Sequence, residues 1–189
     1  MIAKAVALLL VALLLSVAGW QLGQAGLIAG KAWAAPVLIE WSWDHREAAE
    51  MPEKPWPWAD SYPVARLDVA EQDISRFVLA GDNMRNLAFG PVLSEVAASQ
   101  ILFGHRDTHF RFLKSLKPGQ RLSFQKAGET ASNWRVQQTN VVGADELSVP
   151  AGTADPALLL VTCYPFDTVR TETDQRYVVW LVPDDQRTL

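Results

Sequence analysis

The chain has 189 residues, of which 49% are hydrophobic, a formal net charge of −4 and a single cysteine. This slightly acidic balance, without any lysine- and arginine-rich run, argues against a nucleic-acid-binding protein that relies on a basic surface. One cysteine excludes an intramolecular disulfide. Beyond an apolar N-terminus, roughly 150 residues remain, which is enough for one domain with its own core.

Residues 1–35 predict an N-terminal signal-anchor or transmembrane segment. No charged side chain occurs between Ala5 and Gly30, and about 20 apolar residues are enough to cross a bilayer. Ala32-Trp33-Ala34 also fits a signal-peptidase site, so a cleaved signal is the alternative. The length of the uncharged stretch and the tryptophans that follow it favour an uncleaved anchor with an N-inside, C-outside orientation.

Residues 36–63 predict an extended connector between the anchor and the domain. This segment holds four tryptophans and five prolines, including the run Pro55-Trp56-Pro57-Trp58. Proline interrupts helices and central strands, so regular structure is not expected here.

Residues 64–189 predict a mostly β domain made of seven or eight short strands. Apolar and polar residues alternate over 66–69, 76–80, 121–125, 133–137 and 140–143, and apolar runs occupy 99–103, 157–162 and 177–182. Two brief helices are expected, one at 82–87 and one that starts at Thr108. Such a pattern is typical of a β-barrel or sandwich, and a closed barrel leaves no strand edge unpaired.

Three polar residues stand at the ends of the most apolar strands: His105, Cys163 and Arg176. Taken singly, each has an ordinary structural explanation, since lone cysteines are often inert core residues. Together they supply a nucleophile, a proton shuttle and a fixed positive charge. These are the groups that an acyl-transfer site requires.

The sequence around these residues resembles that of the sortase family, and most closely its Gram-negative branch, class GN. The resemblance rests on Gly104-His105-Arg106-Asp107-Thr108-His109-Phe110, on Leu160-Val161-Thr162-Cys163-Tyr164-Pro165-Phe166 and on Arg176-Tyr177-Val178-Val179. Ala88-Phe89-Gly90-Pro91 and Lys31-Ala32-Trp33 are also similar to that branch. The likeness extends over nearly the whole chain in the order anchor, linker, histidine, cysteine, arginine.

The resemblance implies a closed eight-stranded sortase β-barrel. It also implies a membrane-bound cysteine transpeptidase, an enzyme classed with the thiol proteases and therefore with the hydrolases. Cys163 would attack an LPXTG-like sorting signal of a dedicated surface protein, Arg176 would stabilise the oxyanion, and His105 would protonate the leaving amine. An amine nucleophile would then resolve the thioacyl enzyme. The family expectation is a single-pass protein of the inner (cytoplasmic) membrane with its catalytic domain on the periplasmic side, and no cofactor is implied.

Some assignments near these motifs stay open. Arg170 is the competitor of Arg176 for the catalytic arginine, because the loop before Arg176 could bring either inward. Thr162 is expected to shape the substrate groove or help the oxyanion site. His109 is expected at the surface, and Asp107 is a candidate for orienting His105. Two histidines at this spacing without a further ligand pattern do not predict a metal site, and no acidic cluster identifies a calcium site.

Two other functions compete with this interpretation. An L,D-transpeptidase-like cell-wall acyl transferase is also an exported β-rich enzyme that uses cysteine and histidine, but Val161-Thr162-Cys163 lacks the histidine and glycine expected just before that cysteine. A non-catalytic peptide-binding barrel with a vestigial cysteine is the second alternative.

Overall fold

The N-terminal third of the chain begins with a single long helix. The computed structural model describes residues 2–45, 53–81, 83–96, 99–147, 156–168 and 173–184, and in it helix α1 spans Ile2–Asp44. It is the one helix of the described residues that is long and apolar enough to cross a membrane, and its apolar side chains, such as Leu8, Leu14 and Trp20, are exposed. The helix is therefore a candidate membrane anchor.

Helix α1 continues further than the sequence predicts. Its last nine residues belong to the segment expected to be extended, and Pro36 lies inside the helix. A proline removes one backbone hydrogen bond and crowds the preceding turn, but Ala34, Ala35 and Leu38 next to Pro36 have high helix propensity. The chain divides into two compact units, Met1–Leu38 and Ile39–Leu189.

Eight strands follow in the second unit, mostly where the sequence alternates or carries an apolar run. They are β1 (Pro63–Val69), β2 (Ile74–Leu79), β3 (Val92–Val96), β4 (Ser99–Phe103), β5 (Arg121–Lys126), β6 (Ser132–Gly143), β7 (Leu158–Tyr164) and β8 (Gln175–Pro183). Short 3₁₀ helices occupy Ala70–Gln72, Met84–Ala88 and Arg111–Ser115.

The strands close into a barrel in the order β1-β2-β3-β4-β7-β8-β6-β5, and β5 pairs with β1 to complete the ring. Most neighbours are antiparallel, but β2 pairs with β3 and β4 pairs with β7 in parallel. Parallel neighbours end at the same rim of the barrel, so the residues that follow β4 and β7 meet there. The predicted closed eight-stranded β-barrel with short helices is confirmed.

Side chains of β7 and its neighbours alternate between two apolar clusters. The interior cluster fills the barrel and includes Leu102, Leu158, Leu160, Val179 and Leu181, all fully buried. The outer cluster covers the opposite face of the same strands and consists of Ile101, Leu159, Val161 and Val178, with Phe103, Trp180, Val142, Leu147 and Ala157 packed against it. Strand β7 is buried on both faces, which explains its uninterrupted apolar run.

Candidate active site

Strand β7 carries Cys163 to the rim of the barrel. Its first five residues are buried and its last two, Cys163 and Tyr164, are half-buried. Because successive side chains of a strand point to opposite faces, Cys163 lies on the face of Leu159 and Val161, at the end of the outer cluster. The thiol is free and partly accessible to solvent.

Arg176 lies directly across from Cys163. The antiparallel ladder between β7 and β8 pairs Cys163 with Arg176 and Val161 with Val178. Directly opposite residues share a face of the sheet, with Cβ atoms about 5 Å apart. Nη1 of Arg176 donates to the carbonyl oxygens of Thr173 and Gln175 at 2.7 and 2.9 Å, which holds the half-buried guanidinium near the rim. Arg170 lies outside the described residues.

His105 follows β4 at the same rim. The parallel ladder pairs Phe103 with Val161, and the amide of Gly104 donates to the carbonyl of Val161 at 3.1 Å. This register brings His105 to the level of Cys163 on the neighbouring chain segment. The carbonyl of His105 accepts a hydrogen bond from the amide of Phe110 at 3.0 Å, which closes the loop after it, and the His105 side chain is exposed.

Gly104 and Thr162 fix the backbone just before the histidine and the cysteine. The Thr162 hydroxyl donates to the carbonyl oxygen of Gly104 at 2.7 Å and is buried, on the interior side of β7. A Cβ atom on Gly104 would lie 2.6–2.9 Å from the ring of Phe110. Since Phe110 is fully buried in the interior cluster, only glycine fits at this position.

Arg106 is a buried charged residue that the sequence analysis did not single out. It is 5% exposed, and its guanidinium donates to Asp107 and to the carbonyl oxygens of Pro165 and Thr168. The hydrogen bond with Asp107 raises the pKa of Arg106 and lowers that of Asp107. Asp107 is thus engaged with Arg106. An Arg-Asp pair directly after a candidate catalytic histidine was the only signal in the sequence.

His109 is half-buried, whereas the sequence analysis expected it at the surface. Burial lowers its pKa; a hydrogen bond with the backbone of Ala88 acts in the opposite direction, and the charges of Arg76 and His105 lower it further. The imidazole therefore lies between the loop that carries His105 and the 3₁₀ helix Met84–Ala88. It was missed because its burial depends on a segment more than twenty residues earlier in the chain.

An aromatic cluster lies on the other side of β7 and β8 from Cys163. Tyr164 stacks on Tyr177 with ring centroids 6.1 Å apart, and Phe166 meets Tyr177 edge-on at 5.1 Å. Phe166 and Tyr177 pack against the interior cluster. These contacts anchor the chain on both sides of the turn that follows Cys163.

The arrangement has the parts of a nucleophilic acyl-transfer site. A thiol can act as a nucleophile, an imidazole on the adjacent segment can act as a general acid and base, and an arginine on the paired strand can donate to an oxyanion. The outer cluster is buried and supports the parts of β4, β7 and β8 that lie next to these groups.

Comparison with known protein families identifies one whose sequence model matches this domain. The sequence model of the sortase domain matches residues 67–184, which is well over half of the chain and includes His105, Cys163 and Arg176. No curated protein sequence matches the chain significantly.

Solved structures give the same result. Sortase A of Listeria monocytogenes is 25% identical and superposes with a TM-score of 0.55, covering 65% of this chain and 87% of that one. Sortase A of Corynebacterium diphtheriae, 16% identical, has a TM-score of 0.58 and covers 80% of this chain and 84% of that one. Sortase C of Clostridium perfringens with the C-terminal cell wall sorting motif, 14% identical, has a TM-score of 0.58 and covers 82% and 90%. The last two likenesses concern the fold alone.

Proposed function

Because the chain belongs to the sortase family, we propose that it is a membrane-anchored cysteine transpeptidase that uses Cys163, His105 and Arg176. It would cleave an LPXTG-like sorting signal of a surface protein and transfer that protein to an amine. The observation that carries the proposal is the direct cross-strand opposition of Cys163 and Arg176 at the rim where β4 also ends. A nucleophile and a cation fixed on paired strands keep their separation through the reaction.

The proposed reaction has two halves. The Cys163 thiolate attacks the carbonyl carbon of the signal's threonine, and Arg176 donates to the oxyanion. When the tetrahedral intermediate collapses, the carbon–nitrogen bond breaks and His105 gives its proton to the leaving amine. The incoming amine then attacks the thioester, His105 takes up its proton, and the carbon–sulfur bond breaks to release the thiolate. A thioester retains enough acyl-transfer potential for this exchange.

Other residues take supporting roles in this proposal. Thr162 shapes the site from below, because its hydroxyl is buried and already donates to Gly104. Helix α1 would anchor the protein in the inner membrane in a single pass, with the barrel on the periplasmic side. The resemblance to class GN supports that location, and the sorting motif named for the Clostridium perfringens structure supports a peptide of this class as substrate.

The test is covalent capture. The full chain in detergent, incubated with an LPXTG-type peptide, should form a thioacyl adduct on Cys163 that mass spectrometry detects, and Cys163→Ala should form none. A triglycine or other amine acceptor should discharge the adduct. Failure of the wild type to form any adduct, with Cys163 unreactive to thiol reagents, would remove the enzyme interpretation and favour a binding barrel.

Arg170 provides a matched control for the arginine. Arg176→Met should lower the rate of adduct formation by about 10²–10³-fold, the usual effect of deleting an oxyanion donor. Arg170→Met removes the same charge six residues earlier in the chain and should leave the rate near that of the wild type. The reverse pattern would assign the oxyanion role to Arg170.

A further inference from the structure

Arg106 is buried at the site, yet the proposed chemistry leaves it without a role. Its Nη1 donates to the Pro165 carbonyl oxygen at 2.8 Å and its Nη2 to the Thr168 carbonyl oxygen at 3.1 Å. Nε and Nη2 also form a two-pronged pair with the Asp107 carboxylate, each at 2.8 Å. Burying a guanidinium is unfavourable unless its donors are satisfied. These bonds use four of its five N–H donors.

The bonded carbonyls belong to the segment that leaves Cys163. Pro165 and Thr168 are two and five residues beyond the cysteine, whereas Arg106 directly follows His105. One side chain therefore joins the loop that carries the proposed general acid to the loop that follows the proposed nucleophile. The planar fork of arginine can bond two carbonyls and a carboxylate at once, which the single ammonium of lysine cannot do.

Acidic neighbours keep Arg106 in its charged form. Its pKa is raised first by the hydrogen bond to Asp107, against the opposing effect of burial, and then by the charges of Asp107 and Asp167. Asp167 is itself held by Lys114 at 3.2 Å, so the same loop has a second, exposed tie to the barrel.

We propose that Arg106 is a positioning residue for transpeptidation, a clamp whose guanidinium fixes residues 165–168 beside Cys163 relative to His105. The inference rests on the proposed function for its catalytic consequence, but the restraint on the loop stands without it. Displacing reacting groups by about 1 Å can lower a rate 10²-fold. Loss of the clamp should therefore lower kcat. KM should change less, because Arg106 is only 5% exposed and offers little surface to a substrate.

The experiment compares Arg106→Met and Arg106→Lys with Arg121→Met in the full chain. Arg121 is a matched control, since this exposed arginine forms an ion pair with Asp184 at 2.6 Å and belongs to β5, outside both loops. Arg106→Met should lower kcat by about 10- to 100-fold with KM changed by less than about threefold. Arg106→Lys keeps the charge and should recover part of that loss, while Arg121→Met should keep the wild-type kcat.

Amide hydrogen exchange supplies a readout that needs no substrate. In Arg106→Met, peptides over residues 163–168 should exchange about tenfold faster, with the barrel strands unchanged. If exchange there is faster but no sorting peptide reacts with the wild type, the role of Arg106 as a clamp is supported and only the transpeptidase assignment is refuted. Exchange and kcat like those of Arg121→Met would overturn the proposal. If Arg106→Met does not fold, Arg106→Lys decides: a wild-type kcat and wild-type exchange would refute the clamp.

Discussion

Gly104 has no room for even one added methyl group. An added methyl would lie 2.6–2.9 Å from the Phe110 ring, which is fully buried and cannot move aside. We expect Gly104→Ala to lower the free energy of unfolding by about 1–3 kcal/mol through overpacking. Activity should fall further than stability explains, because the displaced backbone carries His105. Thermal unfolding and adduct formation, measured on the same preparation, check both effects.

Gly128 is the control for this substitution. It has a positive φ of 78° but open space around a Cβ atom, so Gly128→Ala introduces backbone strain of about 1–2 kcal/mol without touching the site. Its adduct formation should equal that of the wild type at temperatures where both are folded. Equal activity losses in the two variants would show that the Gly104 effect is one of stability only.

His109 should make stability depend on pH. Its pKa in the folded protein lies below the ordinary 6.5, first because of burial. The unfolded chain therefore binds the proton more readily, and stability rises with pH between the folded pKa and 6.5. His109→Gln should flatten this rise, seen as a smaller difference in Tm between acidic buffer and pH above 6.5. The same difference in variant and wild type would show that the histidine is not the cause.

The residues of the site were predictable to different degrees. Local sequence is sufficient to predict Cys163, His105 and Arg176 as site residues, because they stand at the ends of apolar strands within recognisable sequence motifs. Arg106 could not be found in this way, because its burial depends on carbonyls about sixty residues later in the chain. Burial of a polar side chain is decided by which segment folds over it, which local sequence does not record.

Thr162 ties two strands together at the rim. Its hydroxyl donates to Gly104 across the parallel pairing of β4 and β7. Thr162→Val keeps the shape but leaves the buried Gly104 carbonyl without this donor, at a cost of about 1–3 kcal/mol. Urea unfolding should show the loss, and Thr162→Ser, which keeps the hydroxyl, should retain most of the stability. A fully stable valine variant would contradict the strand tie.

Most strands were predictable as elements, with informative exceptions. Strand β3, Val92–Val96, was missed because only Val92 is buried and its outer end is exposed, so it lacks clear alternation. The two segments predicted at 133–137 and 140–143 form one strand, β6, whose register shifts between Val136 and Gln138. A bulge breaks the alternation without ending the strand. Pairing partners and their order depend on contacts distant in sequence and were beyond local patterns.

The second unit includes residues that precede the first strand. Ile39 is buried with Leu79 and Leu87, and the ring of Trp43 lies 5.9 Å from that of Phe77. A fragment of residues 39–189 should therefore unfold cooperatively, whereas residues 62–189 should be less stable by about 2–5 kcal/mol or more, the cost of deleting a large buried side chain. Denaturant unfolding measures the difference.

Trp58→Ala is the control for the comparison of these two fragments. Trp58 is 75% exposed, so Trp58→Ala in the 39–189 fragment should leave the midpoint unchanged. Identical midpoints for the two fragments would mean that the segment before β1 contributes nothing to the barrel.

In the proposed mechanism, the cross-strand opposition of Cys163 and Arg176 separates the chemistry from substrate selectivity. The pair is fixed by the ladder between β7 and β8, which continues through seven matched positions from Leu158 to Tyr164. The ten residues from Pro165 to Asp174 join the two strands, and the first four of them, up to Thr168, form the segment that Arg106 holds. Insertions or substitutions after Thr168 leave that restraint in place and can change what approaches the thiol while the proposed reacting groups keep their places. The fold therefore allows recognition to diversify without re-evolving catalysis.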